Sequence, residues 1–291
     1  MKDSFAETHR QVRAIVADMA PAHDMRRIDG AFELVSLAYA GRLEGYHELQ
    51  TLYHNDEHTL EVVLCATRLA HGLHLSGRPL GDDGIDMVVL GGLFHDIGYL
   101  KRIGEEEGTG AQFTATHVQR GTEFARRHLA DEPAPFLDGL VNVILVTDHR
   151  LPVGRIVFNS ELEELAGMTT GTADLVSQMG NRLYLERLLL LFFEFREAGL
   201  GGFVDFDDLL EKTAAFYKMT RERLDGELQG LSPYLAKHFE HAEGVAVNRY
   251  QESIDKNLAY LERILREAHG HRLDMLKRAG LVERALAQLN A

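Results

Sequence analysis

Met87-Val88-Val89-Leu90-Gly91-Gly92-Leu93-Phe94-His95-Asp96-Ile97-Gly98-Tyr99 decides how the rest of this chain is read. From Ile85 to Phe94 the segment is apolar on nearly every side, which predicts a helix buried all round. Gly91 and Gly92 cost helix propensity, and close packing against neighbouring helices is the reason that fits them. A histidine and an aspartate then follow at the buried end. Leaving both there without partners is costly. A divalent metal uses both at once, and imidazole with carboxylate suits borderline ions such as Zn, Fe, Mn or Co.

Outward from this stretch the pattern stays helical. The six prolines, Pro21, Pro79, Pro133, Pro135, Pro152 and Pro233, all fall between apolar-periodic segments. Periodicity predicts helices near 4–19, 30–44, 56–75, 84–98, 112–130, 134–148, 172–178, 181–198, 206–225, 233–268 and 272–289. The best strand candidate, Arg155 to Phe158, is too short to found a sheet. The expectation is one all-α domain over 1–291, with a core at about 50–215 and a C-terminal helical extension at about 216–291. In that extension Tyr250, Ile254, Leu258, Leu261 and Leu265 recur at helical spacing. They form a stripe that either packs on the main bundle or makes a homodimer contact.

Further metal-binding side chains sit before and after His95-Asp96. In Tyr53-His54-Asn55-Asp56-Glu57-His58, Asn55 or Asp56 can cap a helix, with His58 in its first turn and His54 in the approach. His117 lies near the apolar face marked by Val118, Phe124 and Ala125. His149 follows Asp148 at the end of the apolar run Leu140 to Val146. Asp174 stands in Thr170-Gly171-Thr172-Ala173-Asp174, where Thr170 or Thr172 could cap a helix and place the aspartate in its first turn. The glycine-rich segment Lys101 to Gly110 reads as a loop directly after the pair. It is either a solvated connector or a flap that brings Lys101 or Arg102 to a phosphate.

Composition narrows the class. The net charge is −14 over 291 residues, which argues against a nucleic-acid polymer or an anionic membrane as partner. The single cysteine, Cys65, excludes a disulfide framework and fits a reducing, cytoplasmic setting. The start, Met1 to Glu7, is charged and has no apolar signal core. The longest apolar run, Leu188 to Phe193, is far short of a membrane span. Histidine is abundant, at 15 residues.

The order His58, His95-Asp96, Asp174 resembles the HD superfamily of metal-dependent phosphohydrolases, over roughly 50–215. The resemblance implies an all-α HD bundle in which these four residues are the metal ligands in sequence order. Tyr53-His54-Asn55 followed by His58 is similar to the cyclic-nucleotide phosphodiesterase branch, where the first histidine protonates the leaving oxygen. Ile97-Gly98-Tyr99-Leu100 stands where that branch carries His-Pro-Gly. His117 and His149 resemble the extra histidines of dinuclear HD proteins. His117-Val118-Gln119-Arg120-Gly121 is similar to an element of the HD-GYP branch, although the Gly-Tyr-Pro signature is missing and Asp148-His149 replaces its paired histidines. The same six-ligand order also occurs in di-iron HD oxygenases.

The resemblance therefore implies two divalent ions, from among Fe, Mn, Zn, Co, Ni and Mg. Asp96 would bridge them, because a carboxylate has two oxygens. One ion would take His58, His95, Asp96 and Asp174, and the other Asp96, His117 and His149. His54 would be the general acid, with Lys101, Arg102 and Arg150 as candidate phosphate clamps and Gln178 on the face of Asp174. The function expected is hydrolysis of a phosphoester of a nucleotide or another small phosphate ester by metal-activated water. A di-iron oxygenase and a non-catalytic nucleotide-binding regulatory module are the alternatives.

Overall fold

The computed structural model describes residues 2–267 and 271–289. The protein is all-α. Thirteen α-helices follow one another among the described residues: α1 (Lys2–Met19), α2 (Arg26–Tyr39), α3 (Asp56–Leu75), α4 (Gly81–Phe94), α5 (His117–His128), α6 (Ala134–Leu145), α7 (Glu161–Gly180), α8 (Tyr184–Glu197), α9 (Phe206–Asp225), α10 (Leu235–Glu243), α11 (Arg249–Glu267), α12 (Arg272–Met275) and α13 (Leu281–Leu289). Among them there is one isolated bridge, Tyr46 to Arg102, and no strand. Arg155 closes a short 3-10 turn, Val153–Arg155, and the residues from there to Phe158 form no strand. None of these helices is long and apolar enough to cross a membrane.

α4 is the centre of the bundle. Every residue from Gly84 to Phe94 is buried, and α2, α3, α6 and α7 pack around it. A Cβ on Gly91 would stand 2.6 Å from Val143 Cγ1, so the glycine sets how closely α6 approaches. The helix stops at Phe94. A 3-10 turn, Ile97–Tyr99, follows His95 and Asp96.

α3 begins where the capping signal places it. The Asn55 side chain accepts from the His58 backbone N–H at 3.2 Å, and Asp56 and Glu57 lie in the first turn.

α7 departs from expectation. Asp174 is not in a first turn but well inside a 20-residue helix that starts at Ser160, whose hydroxyl accepts from Glu163 N–H at 3.1 Å. Thr169, Thr170, Gly171 and Thr172 are poor helix formers and hide this continuity from a propensity reading. Burial overrides propensity here, since α7 is covered by α3, α4, α6 and α11. The hydroxyls of Thr169 and Thr170 donate back to the carbonyls of Leu165 and Ala166, while the buried Thr172 hydroxyl has no partner.

The C-terminal extension is also more broken than its periodicity predicts. Gly244 ends α10 with φ of 73°, and Ala279 takes a left-handed φ of 55° before α13. The apolar stripe of α11 is used within the chain. Ile254, Leu261 and Ile264 are buried, and Asn257 donates to the carbonyls of Met179 and Asn181. That stripe thus packs in large part on the main bundle, with Tyr250, Leu258 and Leu265 partly buried.

A candidate metal centre

A cavity of about 150 Å³ is lined by His54, His58, His95 and Asp96 together with His117, His149 and Asp174. Tyr99, Thr114, Thr147 and Gln178 complete much of its polar wall. Six supporting pieces of chain meet here. His54 comes from the approach to α3 and His58 from its first turn. His95 and Asp96 follow α4, His117 opens α5, His149 follows α6, and Asp174 projects from α7.

Gly98 is what lets α5 come close enough. A Cβ there would lie 1.9 Å from the His117 carbonyl oxygen, a contact no side chain can make. The turn after Asp96 thus packs directly on the start of α5.

At the floor of the cavity three donor atoms crowd together. His58 Nε2 is 3.3 Å from Asp96 Oδ2, His95 Nε2 is 3.1 Å from the same oxygen, and the two nitrogens are 3.4 Å apart. Asp174 Oδ1 lies 3.5 Å from His58 Nε2 and 3.9 Å from His95 Nε2. All four residues are buried. Asp96 Oδ2, despite this company, has no hydrogen bond of acceptable geometry. Its other oxygen, Oδ1, points toward His117 Nε2 at 3.5 Å. The two Asp96 oxygens therefore address two different sets of histidine nitrogens, the arrangement of a bridging carboxylate.

Hydrogen bonds behind the rings fix which nitrogen faces inward. His95 Nδ1–H donates to the Gly92 carbonyl at 2.8 Å, and His117 Nδ1–H to the Thr114 carbonyl at 2.8 Å. Each leaves Nε2 as a lone pair directed into the site, which is how histidine ligands are commonly held. His58 has no such anchor for Nδ1 and is held by ring packing against Tyr53 and His95.

Electrostatics follow from burial and from the two carboxylates. Burial alone would lower the pKa of His58, but Asp174 and Asp96 outweigh it and push it up to about 10. Burial would likewise raise Asp96, yet His95, His54 and His58 hold it well below the usual carboxylate range. The carboxylates draw positive charge into this spot, and a divalent cation competes with a proton on His58 for it. Desolvation lowers His117 and His149, which keeps both rings neutral and able to ligate.

His54 stands apart from the crowded donors. Its Nδ1–H donates to Glu194 Oε2 at 2.5 Å, and the backbone N–H groups of Tyr53 and His54 donate to Glu194 Oε1 at 2.6 and 3.3 Å. The His54 ring lies nearly parallel to Tyr99, with centroids 4.5 Å apart, and His117 stacks on Tyr99 at the same spacing. Glu194 is fully buried in α8 and was not among the sequence candidates. Its signal was present. A lone carboxylate follows the apolar run Leu188 to Phe193, as a polar pair follows Phe94.

Lys101 and Arg150 do not reach the cavity. Lys101 is buried, and its Nζ donates to the Gly108 carbonyl at 2.7 Å. Arg150 is exposed and pairs with Asp148 at 3.1 Å. Arg102 pairs with Glu123 at 2.9 Å. The loop from Lys101 to Gly110 is tied down as well. Arg120 donates to the carbonyls of Gly98 and Leu100 and pairs with Glu105, and Thr109 bonds Glu197. Two of the three cations expected to clamp a phosphate, Lys101 and Arg102, help to hold this loop in place. Gln178 does line the cavity.

A protein-family model described as Npun_R2479-like matches residues 104–231, less than half of the chain. The matched segment includes His117, His149, Asp174 and Glu194 but not His58, His95 or Asp96. No curated protein and no solved structure matches the chain.

Proposed function

We propose that this chain is an HD-type, metal-dependent phosphohydrolase that cleaves a small phosphate ester, with a nucleotide as the leading substrate class. The observation that carries this reading is the division of Asp96 between two histidine sets, Oδ2 toward His58 and His95 and Oδ1 toward His117. The donor set fits two divalent cations. His58, His95, Asp96 and Asp174 would hold one, and Asp96, His117 and His149 the other. Such a pair, when bound, lowers the pKa of water and neutralises charge on a phosphoryl group.

The residues around it do the rest. Asp96 and Asp174 set the charge of the site, and burial keeps bulk water out of its floor. Glu194 fixes the His54 ring through Nδ1. When that ring carries both protons, Nε2 is the nitrogen left to deliver one to a departing oxygen. Gln178 is placed to hydrogen-bond substrate from the α7 side.

One observation favours a second reading. Among the described residues lining this cavity none is Lys or Arg. Three of its lining residues, Gln178, Phe195 and Phe216, also line an apolar cavity of about 320 Å³ next to it. A less charged, partly apolar substrate and a di-iron oxygenase would suit that setting. Metal analysis of purified protein, joined to a screen of nucleotides and phosphate esters with Mn, Mg, Fe, Co and Ni, separates the two. Release of phosphate from a monoester, or of a phosphomonoester from a diester, supports hydrolysis. Two irons per chain with oxygen uptake and no such release would replace it with the oxygenase.

A further inference from the structure

A second group of metal-ligating side chains gathers where α1, α3 and α10 pack together. Asp18 comes from α1, His71 from α3, and His238 and His241 from α10. None of the four lines the cavity of His95 and Asp96. His71 Nε2 lies 3.2 Å from Asp18 Oδ2, and His241 Nε2 lies 2.8 Å from the same oxygen. His71 is buried, whereas the side chains of Asp18 and His241 are 48% and 49% exposed, so an ion can enter from solvent.

The buried member is held in a particular way. His71 Nδ1 stands 2.8 Å from His238 Nδ1. One nitrogen of that pair must donate and the other accept. When His71 donates, its Nε2 is left as a lone pair aimed at a carboxylate oxygen. A cation between them turns that opposition into attraction. His238 and His241 are three residues apart on α10 and so share a face. Gly72 brings that face in, since a Cβ there would lie 2.0 Å from the Tyr234 carbonyl oxygen at the entry to α10.

We propose that Asp18, His71 and His241 form a second metal site, separate from the His95–Asp96 centre. It takes a borderline divalent cation of the zinc type, with water in the fourth position and His238 orienting the His71 ring. Ligand atoms around a tetrahedral zinc ion stand about 3.4 Å apart. The site reaches that spacing by opening a few tenths of an ångström, which the two half-exposed side chains can supply. The bound ion ties α1 and α10 to α3, and it stabilises the fold by mass action. This site does not depend on the hydrolase reading.

The test uses full-length, metal-stripped protein titrated with zinc and with cobalt. The parent and Asp96→Ala chains are each compared with and without His241→Gln or Asp18→Ala. In both backgrounds His241→Gln and Asp18→Ala should each remove one zinc equivalent, the matching tetrahedral cobalt absorption, and part of the zinc-induced rise in Tm. His238→Gln should keep the stoichiometry and weaken that equivalent about 10–100-fold. In the unsubstituted chain, zinc should shift the ¹⁵N resonances of His71 and His241, a readout that needs no variant. Equal zinc uptake with and without His241 and Asp18, or unmoved ¹⁵N resonances, would overturn the proposal. The cluster would then be a proton-bridged histidine–aspartate network.

Discussion

Glu194 Oε2 accepts a hydrogen bond from His54 Nδ1 at 2.5 Å, across 140 residues of sequence. A carboxylate buried in α8 thereby sets the orientation of a ring that lines the cavity of His58, His95 and Asp96. The His54 ring is not one of the crowded donors, so it is free to move a proton. General acid catalysis contributes about 10²–10⁴-fold. His54→Ala should reduce kcat by that order on an ester with an alkoxide leaving group, and far less on a nitrophenyl ester. Glu194→Gln should show the same leaving-group pattern with a smaller loss. Metal content, measured alongside, should not change in either variant; a drop in it would make His54 a ligand.

Nuclearity is read from the two oxygens of Asp96. Asp96→Ala should abolish activity and remove the metal of the His95–Asp96 centre while far-UV circular dichroism stays near that of the parent. His149→Ala should lower the metal content of the His95–Asp96 centre from about two ions to about one, read in a His241→Gln background that lacks the α1–α3–α10 site. Two ions retained in that background, by elemental analysis, would take His149 out of the ligand set.

The contact of Gly98 with the His117 carbonyl leaves no room for a methyl group. Gly98→Ala must push α5 away from the end of α4. Overpacking of this kind costs about 1–3 kcal/mol, occasionally more. A lowered urea midpoint together with loss of one metal equivalent is expected, because His117 moves with α5. Unchanged stability would mean that the turn relaxes without α5.

Stability should also fall on mild acidification, through His128. Its ring packs on Phe124 with centroids 4.2 Å apart, and its Nε2 is buried without a partner. Burial first, then the charge of Arg127, lowers its pKa in the folded state. Below about pH 6.5 the unfolded chain takes a proton that the folded chain refuses. Stability present at neutral pH is therefore lost as pH falls toward the folded-state value. Urea midpoints at pH 7 and pH 5 should differ less in His128→Phe than in the parent. Equal slopes would show that His128 does not contribute.

Much of the site could be read from the chain because its signals are local. A polar pair after a buried apolar helix, as at His95-Asp96, and a capped helix start, as at Asn55 and His58, are visible within ten residues. The environment of Asp174 was not visible, because threonines and a glycine mask α7 and only burial against four other helices sustains it. Glu194 looked like one acid among many until α8 was seen to carry it to His54. Lys101 and Arg150 stand away from the cavity for a related reason. A cation's partner is set by the fold, and both found nearer oxygen atoms, in Gly108 and Asp148.

Asp174 is carried not by a loop but by α7, a helix enclosed by α3, α4, α6 and α11. Fraying of a loop leaves that carboxylate where it is. To withdraw it, the chain must disengage one of its most enclosed helices, an event close in cost to global unfolding. Escape of an ion held there would thus be coupled to opening of the core and would be a slow step. The residence time of such an ion, rather than its equilibrium affinity, is the property that this placement of Asp174 would lengthen.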